Sequence, residues 1–277
     1  MARILAISSQ VARGSVGLSI IVPALQAQGH EVIPLPTILL SNHPGHAHSA
    51  GTPTAPAILH KMFDALEANG WLNGIDGILT GYLPSREHVS FALESLRRVR
   101  NTRGRHGVIY LCDPVLGDDP KGLYIDDAAA EAIREYLVGL ADVATPNRFE
   151  LSYLNSAARP HEIRSAADAF NGHLDCPLMI ATSIPSESQG EVINAMVCCG
   201  VKSLARVPIR PNAPHGTGDL FSALILSALL DGAAPELALA LATAAVDATL
   251  AASSGHDQLL ISALPTRFSP PKPWPVV

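Results

Sequence analysis

Short apolar runs alternate with segments of helical periodicity along most of this chain. Residues 4–7 and 108–112 are apolar runs of strand length, whereas residues 18–28 and 86–99 have apolar positions at helical spacing. Apolar runs that are each followed by such a segment are typical of buried parallel strands joined by helices. The pattern predicts an α/β fold with a mostly parallel central sheet and helices on both faces.

Chain length and loop composition predict one domain with one long functional loop. The chain has 277 residues, of which 48% are hydrophobic, and no repeat or long linker divides it. Residues 41–56 are rich in Pro, Gly, His, Ser and Thr. Long loops in compact domains are usually functional. We expect a single domain over residues 1–277, with a lid or active-site wall near residues 41–56.

Charge and cysteine content argue against several classes of protein. The net charge of −6, from 25 acidic and 19 basic residues, disfavours a nucleic-acid partner, which needs a basic face. The most apolar region, residues 220–252, is interrupted by charged residues, so no membrane span is predicted. The four cysteines lack C-x-x-C spacing and are expected to be buried thiols. These features fit a cytoplasmic enzyme without a membrane partner.

The strongest local signal for chemistry is Gly-Thr-Gly-Asp-Leu-Phe at residues 216–221. The glycines allow a tight turn, and the apolar periodicity that follows places them at a helix N-terminus, which attracts anions. At that position Asp219 can take a proton from a hydroxyl group while nearby amides neutralise a transferring phosphoryl group. The alternative is that Asp219 only caps the helix. Neither a Walker A sequence nor G-x-G-x-x-G occurs.

Two further acidic motifs follow predicted strands. Asp113 and Asp118 come directly after the run that ends at Cys112, and Asn147 and Glu150 share one face of a predicted helix start. The carboxyl ends of parallel strands form the crevice in which open α/β sheets bind ligands. Oxygen groups at that crevice can orient a hydrated Mg²⁺. Ordinary turn and helix-start preferences explain the same residues without a metal.

Candidate substrate contacts lie at strand ends and in the predicted lid. Ser9 ends the first strand, and Tyr82, which could stack on a planar ring, follows another strand. Ordinary packing explains such a tyrosine as well. His43 lies in the predicted lid without zinc-site spacing to any cysteine, so we interpret it as a polar lid group that contacts substrate.

Taken together, these motifs resemble the pyridoxal kinases of the ribokinase superfamily over nearly the whole chain and in the same order. The matching positions are Ser9, Val16-Gly17, Ser41-Asn42-His43, Leu79-Thr80-Gly81-Tyr82, residues 112–118, Thr145-Pro146-Asn147 with Glu150, Thr182-Ser183 and residues 216–221. The resemblance implies a ribokinase-like homodimer that uses ATP and Mg²⁺. It further implies phosphorylation of the 5′-hydroxymethyl group of pyridoxal, pyridoxine or pyridoxamine in pyridoxal phosphate salvage. It leaves a monovalent-cation requirement open.

The resemblance also implies a role for each matching residue. Asp219 is the expected base, beside an anion hole formed by Gly216, Thr217 and Gly218. The expected substrate contacts are Ser9 at the pyridine edge, Val16 and Tyr82 on the ring, His43 and Asp219. The expected ATP site comprises Asp113, Asp118, Asn147, Glu150, Thr182 and Ser183. Of these, Asp113, Asp118 and Glu150 are expected to meet Mg²⁺ through water.

The chain departs from the family pattern around the vitamer. Leu18 stands where the family commonly has Asn, and Leu39 interrupts its Thr-Val-Gln-Phe-like strand. Pro44 and His46 replace the Thr and Tyr that commonly follow Ser-Asn-His. Pro44 lacks the hydroxyl group that a threonine would offer to the ring substituents.

Alternatives of two classes remain. A hydroxymethylpyrimidine kinase of the same superfamily phosphorylates a hydroxymethyl group on another flat ring, but commonly has Cys where Asp219 stands. A sugar kinase is disfavoured because a pocket of serine and aromatic side chains suits a flat ring. A catalytically silent protein that binds vitamer or nucleotide would use the same pocket. Asp219 together with the Mg²⁺-side groups argues against the silent protein.

Overall fold

A computed structural model of the chain describes residues 1–155, 162–172, 174–267 and 269–277. The strands are β1 (Arg3–Val11), β2 (Glu31–Leu40), β3 (Gly51–Pro53), β4 (Ile75–Thr80), β5 (Ile109–Cys112), β6 (Gly117–Asp118), β7 (Gly122–Leu123), β8 (Val143–Ala144), β9 (Leu178–Pro185), β10 (Glu191–Cys198) and β11 (Val201–Pro208). The helices are α1 (Leu18–Ala27), α2 (Pro56–Ala68), α3 (Arg86–Arg103), α4 (Asp127–Ala132), α5 (Arg148–Leu154), α6 (Ala166–Asn171), α7 (Thr217–Leu230) and α8 (Pro235–Ala252).

The central sheet has the strand order β11-β10-β9-β8-β5-β4-β1-β2-β3. Its six inner strands, from β9 to β2, pair in parallel. Antiparallel neighbours extend it on both sides, with β3 on β2 and the hairpin of β10 and β11 on β9. Strands β6 and β7 form a separate two-stranded hairpin. The predicted α/β fold with a mostly parallel sheet is confirmed.

Both faces of the sheet are buried under helices. Along β1, Leu5 and Ile7 enter a core that includes Leu59 of α2, while Ile4 and Ala6 enter a second core that includes residues of α1, α7 and α8. These four side chains of β1 are inaccessible to solvent. Because successive side chains of a strand point to opposite faces, a strand buried on both faces is apolar throughout. This explains the continuous apolar runs in the sequence.

The parallel strands bring the candidate groups to one edge. Strands β1, β4, β5 and β8 run in the same direction, so their carboxyl ends lie together. Three motifs of the sequence begin directly after these strands, at the ends of β4, β5 and β8. The motif at Ser8 and Ser9 differs from its prediction, since β1 continues past Ser9 to Val11 by pairing with β2, so that Ser9 lies near the strand end and not at it. Ligands of open α/β sheets bind at this edge.

Three segments differ from the sequence prediction, two of them because strand pairing overrides the local pattern. The predicted loop over residues 41–56 contains β3, which pairs with the last three residues of β2. The predicted helix over residues 126–140 is α-helical only to Ala132 and continues as a π-helical turn and a 3-10 turn. The strand predicted over residues 177–182 continues to Pro185 because β10 pairs with it.

Helix α8 has the length and composition of a membrane span, with a mean hydropathy of 1.3 over 18 residues. In the fold 44% of this helix is buried, and it packs against α7 and β11. The core helices of soluble proteins can have the same length and hydropathy.

The four cysteines are free, and one differs from its prediction. Cys112 is buried, Cys176 and Cys198 are partly buried, and Cys199 is exposed. Cys199 and Gly200 form the two-residue turn between β10 and β11 and have φ angles of 48° and 85°. A tight turn of this kind projects from the sheet, so the prediction of four buried thiols is wrong for Cys199.

We expect Tyr110→Phe to lower the free energy of unfolding by about 1–3 kcal/mol, because it leaves the buried Thr80 hydroxyl group with only the weakly bonding Cys112 thiol as a side-chain partner. Tyr110 and Thr80 are both buried, and their hydroxyl oxygens are 2.8 Å apart. The double variant Tyr110→Phe/Thr80→Val removes both groups and should recover much of the loss. Urea denaturation measures both effects. A double variant that loses the sum of the two single losses would contradict this account.

Candidate active site

Asp219 lies in the first turn of α7, beside the loop between β1 and α1. The Gly17 N–H donates a hydrogen bond to Asp219 Oδ2 over 2.9 Å. The residue is partly exposed, yet burial within the cleft raises the pKa of its carboxyl group to about 6, against the opposing effect of the Gly17 N–H. At neutral pH the carboxylate is therefore ionised and more basic than an ordinary aspartate.

Gly216 allows α7 to begin against that loop. Its φ is 101°, and an added Cβ would lie 1.8 Å from the Ser15 carbonyl oxygen and 3.3 Å from Val16 Cγ1. Only glycine fits such a backbone conformation in so little space. The free N–H groups at the start of α7 therefore lie next to Val16, which is itself buried. A helix N-terminus in this position can bind an anion.

Two buried carboxylates lie near Asp219. Burial raises the pKa of Asp113 well above its ordinary value, and the charges of Glu150 and Asp219 raise that pKa further. The Ser222 O–H donates to Asp113 Oδ2 over 2.8 Å, and the Ser222 and Thr145 hydroxyl oxygens are also 2.8 Å apart. None of the ion pairs within the described ranges includes Asp113, Glu150 or Asp219.

Asn147 and Glu150 form a capping box at the start of α5. Asn147 Oδ1 accepts from the Glu150 N–H, and Glu150 Oε2 accepts from the Asn147 N–H. The same side chains hold the loop after β5, since Glu150 Oε1 accepts from the Leu116 N–H and Asn147 Nδ2 donates to the Gly117 carbonyl. Burial raises the pKa of Glu150 to about 7. Because both its oxygens already accept backbone N–H groups, a metal contact of Glu150 would run through water.

The donor set of this cluster fits a hydrated Mg²⁺. Carboxylate oxygens are the ligands that Mg²⁺ prefers, and this ion usually keeps several of its waters. Asp113, Glu150 and Asp219 concentrate negative charge, and the exposed Asp118 acts on Glu150 from the β6–β7 hairpin. Across the parts of the chain described, no three His, Cys, Asp or Glu side chains converge to bind an ion directly. The predicted water-mediated contacts remain a prediction.

Val115 adopts a backbone conformation that is rare for its residue type. Its φ is 45°, although β-branched side chains disfavour positive φ. The surrounding loop is fixed by the hydrogen bonds from Glu150 and Asn147, and Val115 Cγ2 lies near Gly81 at the end of β4. Strain of this kind concentrates at functional sites. Nothing in the sequence indicated it.

Ser9 and Tyr82 lie on the neighbouring ends of β1 and β4. The Tyr82 N–H donates to Ser8 Oγ over 3.1 Å, and the Tyr82 O–H donates to the Tyr124 carbonyl over 3.4 Å. Ser9 Oγ lies beside Gly17, only 2.3 Å from where a Cβ would stand. Because Gly17 also contacts Asp219, Ser9 borders the same cleft as the candidate base.

Thr182 and Ser183 form a bulge in β9. These two residues stand opposite a single residue of β10, Asn194. Ser183 is exposed and has φ 58°, while the Thr182 N–H donates to the Pro146 carbonyl over 2.9 Å. Bulges bend a strand and re-aim its side chains, often next to active sites. The bulge brings Thr182 beside Asn147, as the predicted ATP site requires.

His43, a predicted substrate contact, stacks on His215. The ring centroids are 3.9 Å apart and the rings are inclined by 25°. His215 directly precedes Gly216, so His43 lies beside the start of α7.

Sequence reasoning missed the parts played by Gly17, Ser222 and His215. Ser222 stands three residues after Asp219, so helical spacing could have placed both on one face of α7. The hydrogen bond of the Gly17 N–H and the contact of His215 with residues 41–56 join segments that are distant in the sequence. No local pattern could have shown these two.

Comparisons with known proteins agree with this architecture. Residues 24–260 match the family described as phosphomethylpyrimidine kinase. A pyridoxal kinase PdxY of Deinococcus radiodurans is 30% identical over 259 residues, covering 89% of this chain and 85% of the relative. A pyridoxine/pyridoxal/pyridoxamine kinase of Bordetella avium is 35% identical over 239 residues, covering 85% and 80%. A structure of the Leishmania donovani pyridoxal kinase in complex with ADP and pyridoxamine superposes with a TM-score of 0.83 at 28% identity, covering 95% and 92%.

We expect Gly216→Ala to lower the melting temperature and Gly218→Ala to leave it unchanged or raise it. The first adds a Cβ 1.8 Å from the Ser15 carbonyl at φ 101°, whereas the second adds one with no atom within 4 Å. Alanine in a helix at an unstrained position is favoured over glycine by roughly 0.5–1 kcal/mol. Calorimetry on the matched pair separates steric conflict from the general effect of replacing glycine. Equal melting temperatures would refute the close contact.

Proposed function

This chain belongs to the phosphomethylpyrimidine kinase family and groups there with the pyridoxal kinases, and on that premise we propose that it phosphorylates the 5′-hydroxymethyl group of a B6 vitamer with ATP. The reaction is a phosphoryl transfer to an alcohol group, as in pyridoxal phosphate salvage. The observation that carries the proposal is the position of Asp219 in the first turn of α7. Its basic carboxylate accepts a hydrogen bond from the Gly17 N–H of the loop before α1. One base and one anion site at the same helix end suit this transfer.

In this mechanism Asp219 receives the hydroxymethyl proton as the vitamer oxygen attacks the γ-phosphorus of ATP. The bond between that phosphorus and the β,γ-bridging oxygen breaks, and ADP leaves with the electron pair. The Gly17 N–H holds Oδ2 and so fixes the direction of the carboxylate. The amides of Gly216, Thr217 and Gly218 lie at the start of α7, where they would offset negative charge on the transferring group. A base pKa near 6 keeps Asp219 ionised at neutral pH and still able to take a proton.

The nucleotide side of the proposed site uses the loops after β5, β8 and β9. Asp113 and Asp118 would meet Mg²⁺ through water, with Glu150 behind them, and the ion would neutralise phosphate charge. Asn147 and Glu150 hold the loop that carries these acids, since both bind its backbone. Thr182 and Ser183 would face the phosphates from the bulge of β9. The monovalent-cation requirement can be tested by comparing K⁺ and Na⁺ in the same assay.

The vitamer side of the proposed site is bordered by Ser9, Val16 and Tyr82. Ser9 would hydrogen-bond the pyridine edge, and Val16 and Tyr82 would pack on the ring. Leu18 is fully buried in the core, so this departure from the family pattern puts no apolar group into the cleft. Pro44 and His46 are exposed in the segment of residues 41–56. We therefore expect Pro44 and His46 to cause any difference between this chain and the family in selectivity among vitamers.

A hydroxymethylpyrimidine kinase is the second candidate, because the matched family is described by a pyrimidine substrate. Its acceptor is also a hydroxymethyl group on a flat ring. Asp219, where those enzymes commonly have Cys, favours the vitamer.

We extend the proposal to the organisation of the protein. Residues 1–277 would form one catalytic domain with residues 41–56 as its lid, supported by a single sheet that includes both Arg3 and Pro208. We also propose a homodimer, as the resemblance to the pyridoxal kinases implies. A cytoplasmic location is supported by four free cysteines, since reducing compartments keep thiols unpaired.

We expect ADP formation with at least one of pyridoxal, pyridoxine and pyridoxamine and little with ribose, when each is offered with Mg-ATP. A site lined by Ser9, Val16 and Tyr82 suits a flat ring better than a sugar. A coupled assay with hydroxymethylpyrimidine in parallel decides between the two candidates. Turnover of ribose and of no other acceptor would overturn the assignment of a B6 vitamer as substrate. If no acceptor is turned over, a catalytically silent binding protein is favoured.

We expect Asp219→Asn to lower kcat by about 10²–10⁴-fold, the usual contribution of a general base. The wild-type rate should fall as the pH drops through about 6, where Asp219 takes up its proton, and the variant should lack this limb. The fold should survive, because the raised pKa means that the ionised carboxylate destabilises the folded protein above pH 6. Single-turnover rates and melting curves on one preparation check this. Normal melting with turnover within a few-fold of wild type would leave Asp219 without a catalytic role, as a structural partner of the Gly17 N–H.

A further inference from the structure

The segment of residues 41–56 is joined to the start of α7 by the stack of His43 on His215. Gly45 packs against the edges of both rings, since an added Cβ there would lie 2.8 Å from His43 Nδ1 and 3.0 Å from His215 Nε2. The Gly45 N–H also donates to His43 Nδ1 over 3.0 Å. The tip of the segment therefore contacts His215 through a ring face and a closely packed glycine.

His215 is held in a fixed relation to the proposed anion hole. It directly precedes Gly216, whose backbone lies against the Ser15 carbonyl with no room for a Cβ. Because that contact fixes the start of α7, it also fixes the backbone from which the His215 ring reaches residues 41–56. A displacement of residues 41–56 that carries the ring with it would act on the residue next to the free N–H groups, where the phosphoryl group is proposed to lie.

We propose that His215 is a positioning residue that fastens the lid over the phosphate end of the site through its stack with His43. The lid would then stand over the reacting groups and exclude water during transfer. This role rests on the proposed kinase function, whereas the fastening itself rests on the stack. His215 contacts the lid and is not placed on substrate.

The charges around the stack favour uncharged rings. Burial lowers the pKa of His43 to about 4, and the charges of His215, Lys121 and His46 act in the same direction. Burial also lowers the pKa of His215, as do Lys121 and His46, whereas Asp118 raises it. An uncharged His43 can accept the Gly45 N–H at Nδ1, but a protonated ring cannot. The fastening should therefore hold at neutral pH and weaken as pH falls from the ordinary histidine value towards about 4.

Hydrogen exchange of the full chain without ligands tests the fastening directly. His215→Ala should speed exchange of the Gly45 amide roughly tenfold or more, because the segment opens locally more often. His215→Phe keeps a flat ring and should stay near wild type. His48→Ala is the matched control, since His48 is an exposed histidine of the same segment. Unchanged exchange in His215→Ala would overturn the fastening.

A double-mutant cycle tests its consequence for catalysis. His43→Ala and His215→Ala should each lower kcat by roughly tenfold, and the double variant should be no worse than either one. ATP hydrolysis without acceptor should rise relative to transfer, and His215→Phe should restore most of the coupling. Losses that multiply in the double variant would overturn the inference. An inactive wild-type protein would overturn the proposed function. In that case the hydrogen-exchange experiment by itself would show whether His215 holds residues 41–56.

Discussion

The site depends on the contact between the start of α7 and the loop that joins β1 to α1. Gly216 lies against Ser15, and one turn further Asp219 accepts the Gly17 N–H. These contacts place a carboxylate and a set of free helix amides next to the residues that border the proposed vitamer pocket. Any side chain at residue 216 would push the two segments apart, so the chemistry rests on a close approach that only glycine permits.

The second constraint is electrostatic. Asp113, Glu150 and Asp219 gather negative charge with hydroxyl and backbone partners in place of basic ones. Such an arrangement destabilises the ionised protein by itself, because burial raises the pKa of all three carboxyl groups and the charges of Glu150 and Asp219 raise the pKa of Asp113 further. A divalent cation with ATP would remove that cost when it binds. The concentration of negative charge that destabilises the free protein would therefore favour the complex with the cation and ATP.

The segment of residues 41–56 joins these two constraints. Strand β3 and the pairing with β2 anchor it at one end of the sheet, and the His43–His215 stack connects its tip to α7. In the β6–β7 hairpin, the charge of Lys121 acts on both rings and that of Asp118 acts on His215. Lid, hairpin and helix start thus meet at the phosphate end of the cleft, where a conformational change in one would reach the others.

The sequence by itself determined the class of fold and most of the chemical groups. The apolar runs predicted the parallel sheet because strands buried on both faces must be apolar throughout. The motifs after those runs predicted Asp113 and Glu150 as neighbours, because strands that run in one direction end at one edge. The glycine-led helix start predicted Asp219 as a base, and only the family resemblance joined it to the other two. Both are local properties of the chain that need no distant partner.

Only the tertiary structure decided how those groups are held. The bulge at Thr182 and Ser183 depends on pairing with β10, and the strain at Val115 depends on hydrogen bonds from α5. The capping box and the loop after β5 each give Glu150 one backbone donor, which favours a metal contact through water over direct ligation. His43 stacks on His215, which lies some 170 residues away in the sequence. Contacts between distant segments are set by the packing of whole elements, and residue spacing carries no record of them.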